Sequence, residues 1–132
     1  MSRKLLGVVA FLTTSILVAI TSSGNAKTSN YQQTCNEIAI SGNVLSADCA
    51  RLDGKFNKTS IVLLGIENID GTLKQTDPTK ISNYQFSCNY IHIEGNELKA
   101  TCKKRDGTPN PTSITLNGIE NINGVLKYTS SP

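Results

Sequence analysis

Residues 31–75 read YQQTCNEIAISGNVLSADCARLDGKFNKTSIVLLGIENIDGTLKQ, and residues 84–128 read YQFSCNYIHIEGNELKATCKKRDGTPNPTSITLNGIENINGVLKY. The two stretches align without a gap at an offset of 53 residues, with 26 of 45 positions identical. Cys35 falls on Cys88 and Cys49 on Cys102. Thr59-Ser60-Ile61 falls on Thr112-Ser113-Ile114, and Ile66-Glu67-Asn68-Ile69-Asp70-Gly71 on Ile119-Glu120-Asn121-Ile122-Asn123-Gly124. A repeat of this length makes each copy one structural unit and gives the fold an internal symmetry.

Within a copy the local pattern is β. Ile38 and Ile40 alternate with polar residues, as do Leu45, Ala47 and Cys49, which places each set on one face of a strand. Gly42-Asn43 between these runs reads as a hairpin turn. Ile61 and Leu63 begin a further strand. Asp70-Gly71 and Asn123-Gly124 are type I′ hairpin signals, since both central residues of that turn need positive φ. Asp53-Gly54 and Asp106-Gly107 mark more turns, and helix signals are weak throughout. Thr76-Asp77-Pro78-Thr79-Lys80 links the copies. A unit of about 50 residues can hardly bury a core alone. The copies therefore share one, either side by side or by exchanging strands.

Four cysteines allow three pairings. The equal spacing of 14 residues in each copy favours Cys35–Cys49 and Cys88–Cys102. Each bridge would close an equivalent loop and contribute about 3 kcal/mol on a chain-entropy estimate. A cysteine-based metal site is disfavoured, since neither copy has CxxC spacing and the single histidine, His92, has no counterpart in the first copy.

The N-terminal stretch is read as a cleavable secretory signal over residues 1–26. Arg3 and Lys4 precede an apolar run of 16 residues, Leu5 to Ile20, and Gly24 and Ala26 sit where a signal peptidase expects small residues. That run is short for a spanning helix of roughly 20 residues. Lys27 is then the first mature residue, and residues 27–132 form one domain, secreted or periplasmic. Without the signal the chain has 11 basic and 10 acidic residues, which leaves no electrostatic footprint for nucleic acid. No second apolar segment follows, so no membrane span remains.

Catalysis is poorly supported. Glu67 and Asp70 are three residues apart around a hairpin, and Asp70 becomes Asn123 in the second copy. No nucleophile elbow, zinc motif or phosphate loop is present. Turn chemistry explains Asp70 and Gly71 but not Glu67-Asn68, which recurs as Glu120-Asn121. Polar side chains held beside a rigid hairpin can present donors and acceptors to vicinal hydroxyls. Lys103-Lys104-Arg105 is the only basic cluster after the signal, and its counterpart Ala50-Arg51-Leu52 is largely apolar. Asn57-Lys58-Thr59 is a formal glycosylation sequon, read as a chance match unless the host is eukaryotic.

The two copies, the cysteine pairs, and Ile66 to Lys74 with its echo Ile119 to Lys127 together resemble the cyanovirin-N homologue family of lectins, over essentially all of residues 27–132. The resemblance implies an elongated all-β fold with short 3-10 turns, in which two pseudo-symmetric halves exchange strands. It implies metal-free, cofactor-free binding of mannose-rich glycans, especially terminal α1,2-linked mannose, at two opposite ends. Each end joins one copy to the hairpin of the other. One site would comprise Glu67, Asn68 and Asp70 with Ser82, Asn83, Ser87, Lys103, Lys104 and Arg105. Phe86 stands there where the family pattern has a glutamate. The other would comprise Asn30, Gln33, Thr34 and Arg51 with Asn121 and Asn123. It departs further, because Ala50 and Leu52 replace polar residues and Asn123 replaces an aspartate. The expectation is one competent site with Glu67 and Arg105 and one weak or lost site. Lost hydrogen-bond partners in a polar pocket cost affinity. Pro78 in the linker raises domain-swapped dimerisation as an alternative to a monomer. Competing readings are a secreted protein-interaction or inhibitor module and a carbohydrate-active enzyme.

Overall fold

The computed structural model describes residues 26–132, so all of the expected signal segment except Ala26 lies outside the described residues. The first copy runs from a 3-10 turn, Tyr31–Gln33, through strands β1 Cys35–Ser41, β2 Val44–Ala50, β3 Phe56–Val62, β4 Ile66–Ile69 and β5 Thr72–Gln75. The second repeats it with a 3-10 turn Tyr84–Phe86 and strands β6 Cys88–Glu94, β7 Glu97–Lys103, β8 Pro109–Thr115, β9 Ile119–Ile122 and β10 Val125–Tyr128. Each copy contributes a three-stranded antiparallel sheet, β1-β2-β3 or β6-β7-β8, and a two-stranded hairpin, β4-β5 or β9-β10.

The period-two pattern decides the faces. Leu45, Ala47 and Cys49 of β2 are buried while their neighbours are half-buried, and Leu98, Ala100 and Cys102 of β7 repeat this up to the exposed Lys103. Cys35 lies opposite Cys49 and Cys88 opposite Cys102 in the ladders, and both disulfides join these pairs. Asp70 and Gly71 take φ of 50° and 89°, and Asn123 and Gly124 of 50° and 88°, the two positive values of a type I′ turn.

One boundary departs from the sequence reading. β3 begins at Phe56 rather than near Ile61, and Leu63 lies just beyond its end. Asn57, Lys58, Thr59 and Ser60 carry no apolar alternation. They are extended because β2 pairs along its whole length, from Ala50–Phe56 to Val44–Val62.

The hairpins cross between copies. β5 packs against β8 and β10 against β3. The Leu73 N–H donates to Thr112 Oγ1 at 3.1 Å, and Asn110 Nδ2 donates to the Gly71 carbonyl at 2.8 Å. The symmetric bonds run from Leu126 N–H to Thr59 Oγ1 at 3.1 Å and from Asn57 Nδ2 to the Gly124 carbonyl at 2.7 Å. Strand exchange is therefore the arrangement adopted. Asn57, the sequon asparagine, has its amide committed to this docking.

One buried cluster draws on both copies, with Tyr31, Leu45, Leu63 and Ile66 from the first and Tyr84, Leu98, Leu116 and Ile119 from the second. Burying one such large apolar side chain contributes about 1.5–3 kcal/mol. The Tyr31 hydroxyl donates to the Gly95 carbonyl in the β6–β7 turn, and the Tyr84 hydroxyl to the Gly42 carbonyl in the β1–β2 turn. Each phenol thus fastens its own copy to the other. The linker forms a turn of its own. Asp77 Oδ1 accepts from the Thr79 N–H at 2.9 Å and hydroxyl at 2.6 Å, and Lys80 O accepts from Gly65 N–H at 2.6 Å.

Candidate functional site

At one end of the molecule the tip of the β4–β5 hairpin sits against the loop that follows β7. Asn68 makes the joint. Its Nδ2 donates to Ser87 Oγ and to the Lys103 carbonyl, both at 2.9 Å, while its Oδ1 accepts from the Gly71 N–H at 2.7 Å. Asp70 Oδ1 accepts from the Arg105 N–H at 2.8 Å. The Lys104 stem covers Gly71 so closely that a Cβ there would lie 2.6 Å from Lys104 Cγ. The loop is held internally by Lys104 N–H to Thr108 O at 2.9 Å, and to the 3-10 turn by Lys103 N–H to Ser87 O at 3.0 Å. Asp106 accepts from the Thr108 hydroxyl at 2.6 Å and N–H at 2.9 Å. These bonds hold its carboxyl below the usual carboxylate range.

Of the residues expected at this end, the structure brings Asn68, Asp70, Ser87, Lys103, Lys104 and Arg105 together. The side chains of Lys103, Lys104 and Arg105 are exposed and enter no ion pair among the described residues. Ser82 lies beneath. It is buried, and its hydroxyl accepts from the Ile66 N–H at 2.8 Å, so it supports β4 from behind. Asn83 is exposed and donates its N–H to the Ile66 carbonyl at 3.2 Å. Glu67 alternates with Asn68 along β4, and its Oε2 accepts from the Thr76 hydroxyl at 2.6 Å. Phe86 is 84% exposed and immediately precedes Ser87.

The opposite end has the same frame with different chemistry. Asn121 donates to Thr34 Oγ1 at 3.0 Å and to the Ala50 carbonyl at 2.9 Å, and accepts from Gly124 N–H at 2.7 Å. Asn123 Oδ1 accepts from the Leu52 N–H at 2.9 Å, the counterpart of the Asp70–Arg105 bond. Here the Arg51 guanidinium is paired with Asp53 at 2.9 Å, and Lys27 with Glu120 at 3.7 Å. Leu52, in the place of Arg105, is 91% exposed, and Phe56, in the place of Pro109, is also exposed. Asn30 and Gln33 are exposed at the 3-10 turn of this end.

Sequence reasoning missed the docking pairs Asn57/Asn110 and Thr59/Thr112. Their signal was identity between the copies at polar positions inside a strand. His92 lies on β6, exposed, with Nδ1 3.0 Å from the Tyr90 carbonyl and Nε2 3.5 Å from Glu94. Among the described residues no three His, Cys, Asp or Glu side chains converge, and no helix is long and apolar enough to cross a membrane.

Comparison with known proteins agrees with this frame. Microvirin, solved in complex with mannobiose, is 32% identical, with 75% of this chain and 97% of that one covered at a TM-score of 0.60. TbCVNH from T. borchii is 28% identical, with 75% and 98% covered at a TM-score of 0.64. A MoCVNH3 variant solved with (N-GlcNAc)4 shares the fold at 20% identity, with 80% and 99% covered at a TM-score of 0.65. The family model of the CVNH domain matches residues 31–127, a span that holds both disulfides and all of both copies except Tyr128, and the chain belongs to that family.

Proposed function

We propose that the protein is a metal-independent lectin, exported to a secreted or periplasmic location, that binds mannose-rich glycans at the Arg105 end. The observation that carries the reading is the arrangement of that end. Asn68 and Asp70 lock a hairpin tip to a loop whose Arg105, Lys103 and Lys104 head groups are exposed and enter no ion pair among the described residues. A rigid backbone with unpaired donors beside a carboxylate suits vicinal hydroxyls, because little ordering remains to be done on binding. The guanidinium fork can donate to two adjacent oxygens. Mannobiose bound to a relative at 32% identity supports a mannose ligand. Two disulfides in a small domain suit an oxidising compartment. Binding rather than bond cleavage fits the carboxylates, since Glu67 is held by the Thr76 hydroxyl and Asp70 by the Arg105 N–H.

The Arg51 end lacks the free guanidinium and presents Leu52 in its place, so it binds weakly or not at all. The test is a titration with α1,2-mannobiose, followed by the backbone amides in NMR. Shifts are expected at residues 68–71, 87 and 103–106 in the parent protein and not in Arg105→Ala. Silence with every oligomannose probe, or shifts confined to the Arg51 end, overturns the assignment. Incubation with oligomannose should release no sugar.

A further inference from the structure

We infer a second sugar-binding surface, away from both ends, in a groove on the outer face of the β6-β7-β8 sheet. The inference rests on the reading that the chain binds neutral glycans, but it concerns different residues. The inward side chains of this sheet, Leu98, Ala100 and Cys102, belong to the core. Ladder pairing arranges the outward ones in rows. His92, Lys99 and Ser113 form one row, and Thr101 and Pro111 another. Between Asn89 and His92 the register slips in a β-bulge, and Tyr90 takes φ of 55° within it. Tyr90, 82% exposed, then walls a groove of about 360 Å³ with His92, Lys99, Thr101, Pro111 and Ser113. That volume lies at the lower end of the range for small-ligand pockets, about 300–1,000 Å³.

The first copy supplies an internal comparison. Its sheet has the same bulge, with Glu37 at φ of 51°, and a groove in the same place. The bulge therefore belongs to the fold, and what differs is the chemistry placed on it. In the first copy the row is Glu37, Asp48 and Lys58, with Glu37 and Lys58 3.8 Å apart across the groove. In the second, Tyr90, Thr101 and Pro111 occupy those positions. One charged row has become an aromatic ring, a hydroxyl and a proline.

The charges select the ligand class. Lys99 lies 3.0 Å from Glu94 and 3.8 Å from Glu97, and Glu94 also holds His92. The one ammonium is thus already matched by two carboxylates, and the groove offers no spare cation to a phosphate or a carboxylate. An exposed aromatic face attracts polarised C–H groups, and imidazole and hydroxyls serve as donors and acceptors. That combination fits the apolar face and hydroxyl rim of a neutral pyranose ring.

The test uses NMR titration of the mature protein with α1,2-mannobiose and, separately, N,N′-diacetylchitobiose. Tyr90 is the exposed one of four tyrosines, so its ring protons give a local readout beside the amides of residues 90–92, 99–101 and 111–113. We expect saturable shifts there with at least one probe, at a Kd of about 1 mM. The variant Tyr90→Glu with His92→Ala installs the residues of the first copy, which the same bulge already carries as Glu37 and Ala39. It should fold, lose the groove shifts and keep those at residues 68–71 and 103–106. Shifts at the Arg105 end with none in the groove overturn this inference and leave the proposed lectin site standing. Groove shifts alone support the inference and overturn the end site, and shifts nowhere overturn both. Groove shifts that survive in the double variant also overturn it.

Discussion

Asn68 and Arg105 sit in one cluster yet have separable roles. The Asn68 amide makes three hydrogen bonds, two that fasten the hairpin tip to Ser87 and Lys103 and one that closes the tip itself at Gly71. Each such bond contributes about 0.5–1.5 kcal/mol net. Asn68→Ala should therefore lower stability by about 2–4 kcal/mol and weaken glycan binding only as a consequence. The Arg105 side chain is exposed and unpaired among the described residues, so Arg105→Ala should leave stability within about 0.5 kcal/mol. It should weaken glycan binding at least tenfold, an effect of about 1.4 kcal/mol. Denaturant melts and glycan titrations on both variants check this. Equal loss of stability in the two, or undiminished binding in Arg105→Ala, contradicts it. The sequence singled out Glu67-Asn68 as a pair that turn chemistry leaves unexplained. It could not divide them, because the partners of Asn68 lie 19 and 35 residues away while Glu67 bonds Thr76 across the hairpin. Such partnerships exist only after the copies dock.

At the scale of elements, the decisive contact is a hairpin tip seated on a foreign loop. Gly71 is where they touch. Its φ of 89° is left-handed, and a Cβ would lie 2.6 Å from Lys104 Cγ and 3.1 Å from Asn110 Cβ. Gly54 has a similar φ of 85°, but a Cβ there would meet nothing within 4 Å. Each Gly→Ala change carries the left-handed cost of about 1–2 kcal/mol. Gly71→Ala should add about 1–3 kcal/mol for overpacking. Urea midpoints of the two variants should differ by that increment, and only Gly71→Ala should disturb the amides of the Arg105 end. Strands whose one face is core were legible in advance, as β2 and β7 were, because burial writes an alternation into them. β3 was legible only at its end. Its polar middle is extended by pairing with β2 and by receiving β10, and pairing leaves no hydrophobic period. The type I′ turns were legible because Asp-Gly and Asn-Gly tolerate positive φ where other pairs do not.

The whole molecule is two copies around one shared core, and the symmetry of its two ends is broken in side chains. Tyr31 and Tyr84 stitch the copies, and burial pushes both phenols far above the usual tyrosine range. The fold thus favours their neutral form, whereas an unfolded tyrosine ionises near pH 10. The stability they confer is intact below about pH 10 and falls as pH rises beyond it. Tyr31→Phe with Tyr84→Phe should lower stability at neutral pH and flatten the alkaline decline, leaving the part due to Tyr128, which burial shifts the same way. Denaturant midpoints from neutral to alkaline pH measure this. The same symmetry predicts how to restore a second sugar site. Both ends share one frame, since Leu52 N–H bonds Asn123 Oδ1 at 2.9 Å as Arg105 N–H bonds Asp70 Oδ1 at 2.8 Å. Leu52 is 91% exposed, so an arginine there displaces no packing. Ala50→Lys, Leu52→Arg and Asn123→Asp together copy the Arg105 end onto the Arg51 end. On titration with α1,2-mannobiose, amide shifts at residues 50–53 and 121–124 should appear in the variant and not in the parent, and a multivalent mannose glycoprotein should be cross-linked by the variant more than by the parent. Parent shifts at the Arg51 end as large as those at the Arg105 end refute the asymmetry of the ends. A variant whose Arg51 end stays silent places the defect elsewhere, at the Arg51–Asp53 pair or at Gln33 in the position of Phe86.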